Sequence, residues 1–130
     1  MKSVILPFIC VTTLLSGCLG FSDSSSNALI RRIYNPSKTR QAILFSKEGG
    51  ATTANSIQVS IKNANEQLDT TEEGNTFTVD DNHGKGRFRH SAITCKWLSD
   101  STIVIFYDKE LRTFVQEKHI DCVTVKYRSQ

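Results

Sequence analysis

From Leu29 to Tyr127 the chain repeats one pattern, short stretches in which apolar and polar residues alternate, each closed by a cluster of turn formers. Period two is the spacing of a strand with one face buried, whereas a helix needs a period of about 3.6. The stretch from Ser56 to Lys62 is the clearest case. Ile57, Val59 and Ile61 point one way and Ser56, Gln58, Ser60 and Lys62 the other, which reads as a half-buried strand. Leu29 to Tyr34 is stopped by Asn35-Pro36-Ser37, and Thr39 to Lys47, with its alternating set Gln41, Ile43 and Phe45, ends at Glu48-Gly49-Gly50. Asn75 to Asp80 places Phe77 and Val79 on one face, and Ile93 to Leu98 groups Ile93, Cys95 and Trp97. Thr102 to Tyr107 is almost continuously apolar, as a strand covered on both faces would be. Ser99-Asp100-Ser101 before it has the residues of a tight hairpin turn. Phe114 to Ile120 and Val123 to Tyr127 complete the series, and only Asn63 to Glu73 or Lys109 to Thr113 could hold a helical turn or two. The expectation is a mainly β domain, a single antiparallel sheet of about seven or eight strands folded over itself as a sandwich or curled sheet.

The amino terminus has a different character. Lys2 precedes an apolar stretch of 12 residues, Val4 to Leu15, interrupted by Pro7, Thr12 and Thr13. A spanning helix needs roughly 20 residues, so this length fits the hydrophobic region of an export signal. Leu15-Ser16-Gly17-Cys18 closes the stretch and resembles the lipobox of bacterial lipoprotein precursors. The resemblance implies cleavage after Gly17, where small residues admit the protease, and a diacylglyceryl group on the Cys18 thiol, usually with a third chain on the new α-amine. Two or more chains make anchoring stable where one would be marginal. Leu19 stands where Asp would favour retention in an inner membrane, so in a two-membrane envelope the outer membrane, at its periplasmic face, is favoured. The competing reading is an ordinary secretory signal in which Cys18 is incidental. No cofactor is expected beyond the covalent diacylglycerol and N-acyl chain on Cys18.

The chain then divides into a signal peptide over 1–17, a lipidated start and Ser-rich tether over 18–28, and a β-rich domain over 29–130. Ser22 to Asn27 is small, polar and without periodicity, so burial cannot repay the entropy of ordering it. About 100 residues remain, enough for one modest core. With Lys2 removed, 15 basic residues face 13 acidic ones, a balance of +2, too small to argue for nucleic acid.

Several segments also resemble a group of small exported bacterial proteins of unknown function. They are Asn35-Pro36-Ser37-Lys38 followed by Ala42-Ile43-Leu44-Phe45, Gly49-Gly50-Ala51-Thr52-Thr53 leading into Gln58-Val59-Ser60-Ile61, Asp81-Asn82-His83-Gly84, and Trp97-Leu98-Ser99. The resemblance implies one domain from about Asn35 to Tyr127 and carries no mechanism.

Candidate ligand contacts are few. Paired glycines let backbone amides converge on an anion, and Thr52 and Thr53 add hydroxyls, but the spacing of a nucleotide-binding loop is missing; a plain inter-strand loop is the simpler reading. Asp80, Asp81, His83 and His90 carry metal-ligating atoms, yet the same residues are ordinary turn chemistry, and Lys85, Arg87 and Arg89 would repel a cation. Those three alternate, so in an extended segment they share a face opposite Phe88 and could contact an anion or carboxylate, His83 being a further possible contact. A solvated face is the alternative. Cys95 and Cys122 form an even pair in an exported chain, which predicts a disulfide; two separately held thiols are the alternative. No Gly-x-Ser-x-Gly elbow is present, and no serine or cysteine is tied to His119 and Asp121. Three functions are compatible: a non-enzymatic binding or interaction module of the cell envelope with a membrane and an envelope protein as partners, a protective lipoprotein of the immunity or exclusion kind, and a metal-dependent hydrolase centred on Asp81 and His83. The first is the expectation.

Overall fold

A computed structural model describes residues 26–49 and 54–130. Cys18, the apolar amino-terminal stretch, Thr52 and Thr53 lie outside the described residues. The described chain is mainly β, in two sheets that do not close into a barrel. The first sheet has five strands, all neighbours antiparallel, in the order β1 (Asn27–Tyr34), β2 (Arg40–Lys47), β3 (Ser56–Asn63), β4 (Phe77–Asp80) and β7 (Arg112–Gln116). The second runs β5 (Ile93–Ser99), β6 (Thr102–Tyr107), β9 (Val123–Ser129), β8 (His119–Ile120).

Between the sheets lie the alternating apolar sets of β3, β4, β5 and β9, joined in β2 by Ala42 and Leu44, while the alternating set Gln41, Ile43 and Phe45 stays outside this core. Ala42, Leu44, Ile57, Val59, Ile61, Phe77 and Val79 come from the first sheet, and Ile93, Trp97, Ile103, Ile105, Val123 and Val125 from the second. Each such large side chain taken out of water contributes roughly 1.5–3 kcal/mol. Phe77 is the central ring, with its centroid 5.1 Å from that of Tyr107 and 5.2 Å from that of Tyr127. The indole N–H of Trp97 donates to the Ile33 carbonyl at 2.9 Å, which fastens β5 to β1. At one end, buried Asn35 accepts from the Thr39 and Arg40 amides through Oδ1 and donates to the Asp100 carbonyl. The β1–β2 turn is thereby tied to the Asp100-Ser101 turn of the β5–β6 hairpin.

Four features depart from the sequence reading. The stretch expected as one strand, Phe114 to Ile120, bends. Glu117 N donates to the Thr76 carbonyl beside the first sheet, and the Lys118 carbonyl accepts from Val125 N in the second. One continuous run therefore edges both sheets as β7 and β8, the corner by which a sandwich closes one side, and nine strands result among the described residues. Secondly, β6 and β9 are parallel, because the β7–β8 run lies between them in sequence and returns the chain to the same end. Thirdly, β3 is not half-buried, since Ile57 to Ile61 are all buried, as are Gln41 to Phe45 of β2. A strap of residues 64–76 covers their outer face. Gln41 Nε2 donates to the carbonyls of Asn63, Ala64 and Glu66, Gln58 Oε1 accepts from Gly74 N, and Ser60 Oγ accepts from Asn75 N. Fourthly, neither segment allowed a helical turn forms one, and the single 3-10 turn among the described residues is His90–Ala92.

Candidate anion-contact site

Asp80 ends β4, where register sets it opposite Arg112 of β7. Its carboxylate is buried, and Arg112 grips it with Nε at 3.1 and 3.2 Å from the two oxygens while Nη2 donates to Oδ2. The Arg112 guanidinium holds the Asp80 carboxyl below the usual carboxylate range, against the opposing effect of burial. Asp80 Oδ1 also accepts from Asn82 N at 2.9 Å, an Asx turn that bends the chain out of the strand. Asn82, His83 and Gly84 follow with φ of 52°, 57° and 80°. Three left-handed residues in succession are uncommon, and only glycine takes that conformation without steric cost. The turn is held by Gly86 N donating to the Asp81 carbonyl and by Asn82 Nδ2 donating to the Glu110 carbonyl. His83 Nε2 meets Arg112 Nη1 at 3.1 Å.

These contacts commit Asp80 and His83 to Arg112. Among the described residues no group of three or more His, Cys, Asp and Glu side chains is placed to hold a metal ion, and His90 lines clefts that His83 does not reach. Past the turn the alternation expected for Lys85, Arg87 and Arg89 holds in part. All three are exposed, and Arg87 and Arg89 line one open cleft of about 310 Å³ with Ser91, Ala92, Asp108 and Gln130. Phe88 packs on the core and lines a second cleft of about 610 Å³ with Lys47, Asn55, His90 and Arg89, so that Arg89 borders both clefts and Arg87 only the first. Lys85 borders neither. The structure thus brings together two of the three cations and leaves Lys85 and His83 apart from them.

The predicted disulfide is absent and the fold forbids it: Cys95 and Cys122 are free thiols. Cys95 pairs with Ile105 and Ile105 with Tyr127, two strand spacings away, and Cys122 lies five residues before Tyr127. Two spacings of about 4.8 Å and five rises of about 3.3 Å separate the Cα atoms far beyond the roughly 7 Å a disulfide can bridge. Burial pushes the Cys95 thiol up to about 12. Cys122 is exposed in the two-residue β8–β9 turn, where Asp121 takes φ 50°. Arg40 Nη1 donates to Asp121 at 3.0 Å and Arg40 Nη2 to Cys122 Sγ at 3.7 Å, so Asp121 is committed to Arg40 and not to His119.

Sequence reasoning missed Arg112, Asn35 and the strap-binding glutamines. A buried Asp at a strand end calls for a cation, but its partner is 32 residues away and no local spacing points to it. No family model matches the chain, and neither the curated proteins nor the solved structures compared with it yield a match.

Proposed function

We propose that this protein is a lipid-anchored, non-enzymatic binding module of the bacterial cell envelope, tethered through Cys18 and presenting its β-sandwich to an envelope partner. The observation that carries the reading is Leu15-Ser16-Gly17-Cys18 at the end of an apolar stretch of 12 residues behind Lys2, a length suited to export and too short to span. The described domain fits it in two respects. Its first described strand starts at Asn27, after a stretch rich in serine, and two of its carboxylates are engaged within the fold, Asp80 by Arg112 and Asp121 by Arg40. Arg87 and Arg89 on the cleft beside Asp108 and Gln130 offer two guanidinium groups to an anionic group of the partner.

Fractionation of cells expressing the full chain, or a variant in which residues 1–18 are replaced by a cleavable secretory signal without the cysteine, tests the anchor. The parent chain is expected in the membrane pellet and resistant to salt extraction, and the variant in the soluble envelope fraction. A variant that stays in the pellet contradicts the proposal. Arg87→Glu/Arg89→Glu in the lipidated chain is expected to lose whatever envelope protein the parent captures; unchanged capture removes the cleft from the reading.

A further inference from the structure

The near-neutral balance of charge conceals a segregation between the two broad faces. On the outer face of the first sheet, the strap of residues 64–76 carries Glu66, Asp69, Glu72 and Glu73 and no basic residue. Of the three cations beneath it, Lys47 and Lys62 are paired to Glu73 and Glu72, and Arg32 donates to the neutral side chains of Gln41 and Gln67. On the outer face of the second sheet, register sets Lys96, Val104 and Lys126 in one row and Thr94, Phe106 and Arg128 in the next. Lys96, Lys126 and Arg128 are exposed, and none belongs to an ion pair among the described residues. Beyond Phe106 and Arg128 the same face runs out at Asp108 and Gln130, which line the cleft of Arg87 and Arg89. Five cations and one carboxylate therefore share this side. The apolar centre of the face is partly open: Val104 is buried between Lys96 and Lys126 of its own row, Phe106 is half-exposed and Leu98 at the margin is 54% exposed.

We propose that the outer face of the second sheet, with Arg87 and Arg89 at its end, lies flat against an anionic phospholipid surface. The occupant follows from charge and geometry. Unpaired cations spread over a sheet face, with a cleft only at the Arg87 and Arg89 end, suit an extended anionic surface, where each Lys or Arg close to the headgroups adds attraction. The acidic strap on the opposite face is repelled by the same surface, so the molecule's dipole fixes which side turns down. Long lysine stems can cover apolar sheet surface while their ammonium groups reach the headgroups. The bilayer's proximity rests on the lipid-anchored reading: nine residues from Cys18 to Asn27 extend at most roughly 30 Å.

The test uses the full acylated chain in vesicles of phosphatidylcholine, alone or mixed with phosphatidylglycerol, treated with an acetylating reagent and read lysine by lysine in a mass spectrometer. On anionic vesicles Lys96 and Lys126 are expected to be acetylated about tenfold less than on neutral ones. Lys62 on the opposite face is expected to be unchanged, and about 1 M salt to erase the difference. Arg87→Glu/Arg128→Glu keeps both reporter lysines and is expected to lose their protection, with its melting temperature showing that the fold is intact. Equal acetylation on the two kinds of vesicle, or protection of Lys62 alongside the reporters, overturns the proposal; an acidic protein as the true partner gives the first of these results. Absence of acyl groups on Cys18 refutes the anchor alone, because the chain added to preformed anionic vesicles still shields Lys96 and Lys126 if the face binds.

Discussion

Asp80 is the buried carboxylate of the domain, and its ion pair with Arg112 joins the last two strands of the first sheet and the left-handed turn beside them. Removing one partner of such a pair strands the other, although Arg112 is partly exposed and recovers some hydration. Asp80→Asn is expected to lower stability by about 2 kcal/mol at neutral pH, measured by urea unfolding. The pH dependence has a definite sign. The folded carboxyl sits below its unfolded value of about 3.9, so its contribution is complete above about pH 4 and is lost as pH falls through the folded value. The parent should therefore lose more stability than Asp80→Asn between about pH 6 and pH 3. The two described cysteines differ as sharply. Cys122 is exposed, whereas burial raises the Cys95 thiol, and the thiolate is the reactive form. Iodoacetamide at neutral pH is expected to alkylate Cys122 in the native protein and Cys95 only after denaturation, read by peptide mass spectrometry. Modification of both at equal rates would contradict the packing of half-buried Cys95 against the core.

At the scale of elements, the strap explains what alternation alone misreads. Gln58 and Ser60 are polar at every second position of β3, and the rule that polar residues face water puts them outside. They are buried because the backbone of Gly74 and Asn75 meets their side-chain oxygens, a pairing that depends on a segment 15 or so residues away with no periodicity of its own. The strand positions themselves were legible, since inward Ile57, Val59, Ile61, Phe77 and Val79 repeat at the spacing of the pleat. The parallel pairing of β6 with β9 was not, because alternation says which face is buried and nothing about which neighbour a strand chooses. Gly74 tests the strap directly. A Cβ there would stand 2.9 Å from the Cβ of Gln58 and 3.1 Å from the Val59 carbonyl oxygen, so Gly74→Ala is expected to cost about 1–3 kcal/mol. Limited proteolysis should then cut within 64–76 before any other part of the domain. A variant as stable and as resistant as the parent would mean the strap does not hold this close approach.

For the whole molecule, the site was legible only where local spacing reports it. Arg87 and Arg89 share a cleft that Lys85, the third member of their alternating set, does not border, while the disulfide inferred from an even count of cysteines fails because register sets Cys95 two strands and several residues away from the β8–β9 turn that holds Cys122. Counting residues conceals the separation of an acidic strap from a basic sheet face; only topology assigns Lys96, Lys126 and Arg128 to one side. Attachment remains the central claim, since it determines which surfaces the sandwich can meet. The direct test is the intact mass of the protein extracted from membranes of a bacterial host, with fragmentation of its amino-terminal peptide. A mature chain beginning at Cys18 and bearing a diacylglyceryl thioether, with or without an N-acyl chain, is the result expected. A mature chain starting elsewhere, or an unmodified Cys18, would contradict the account.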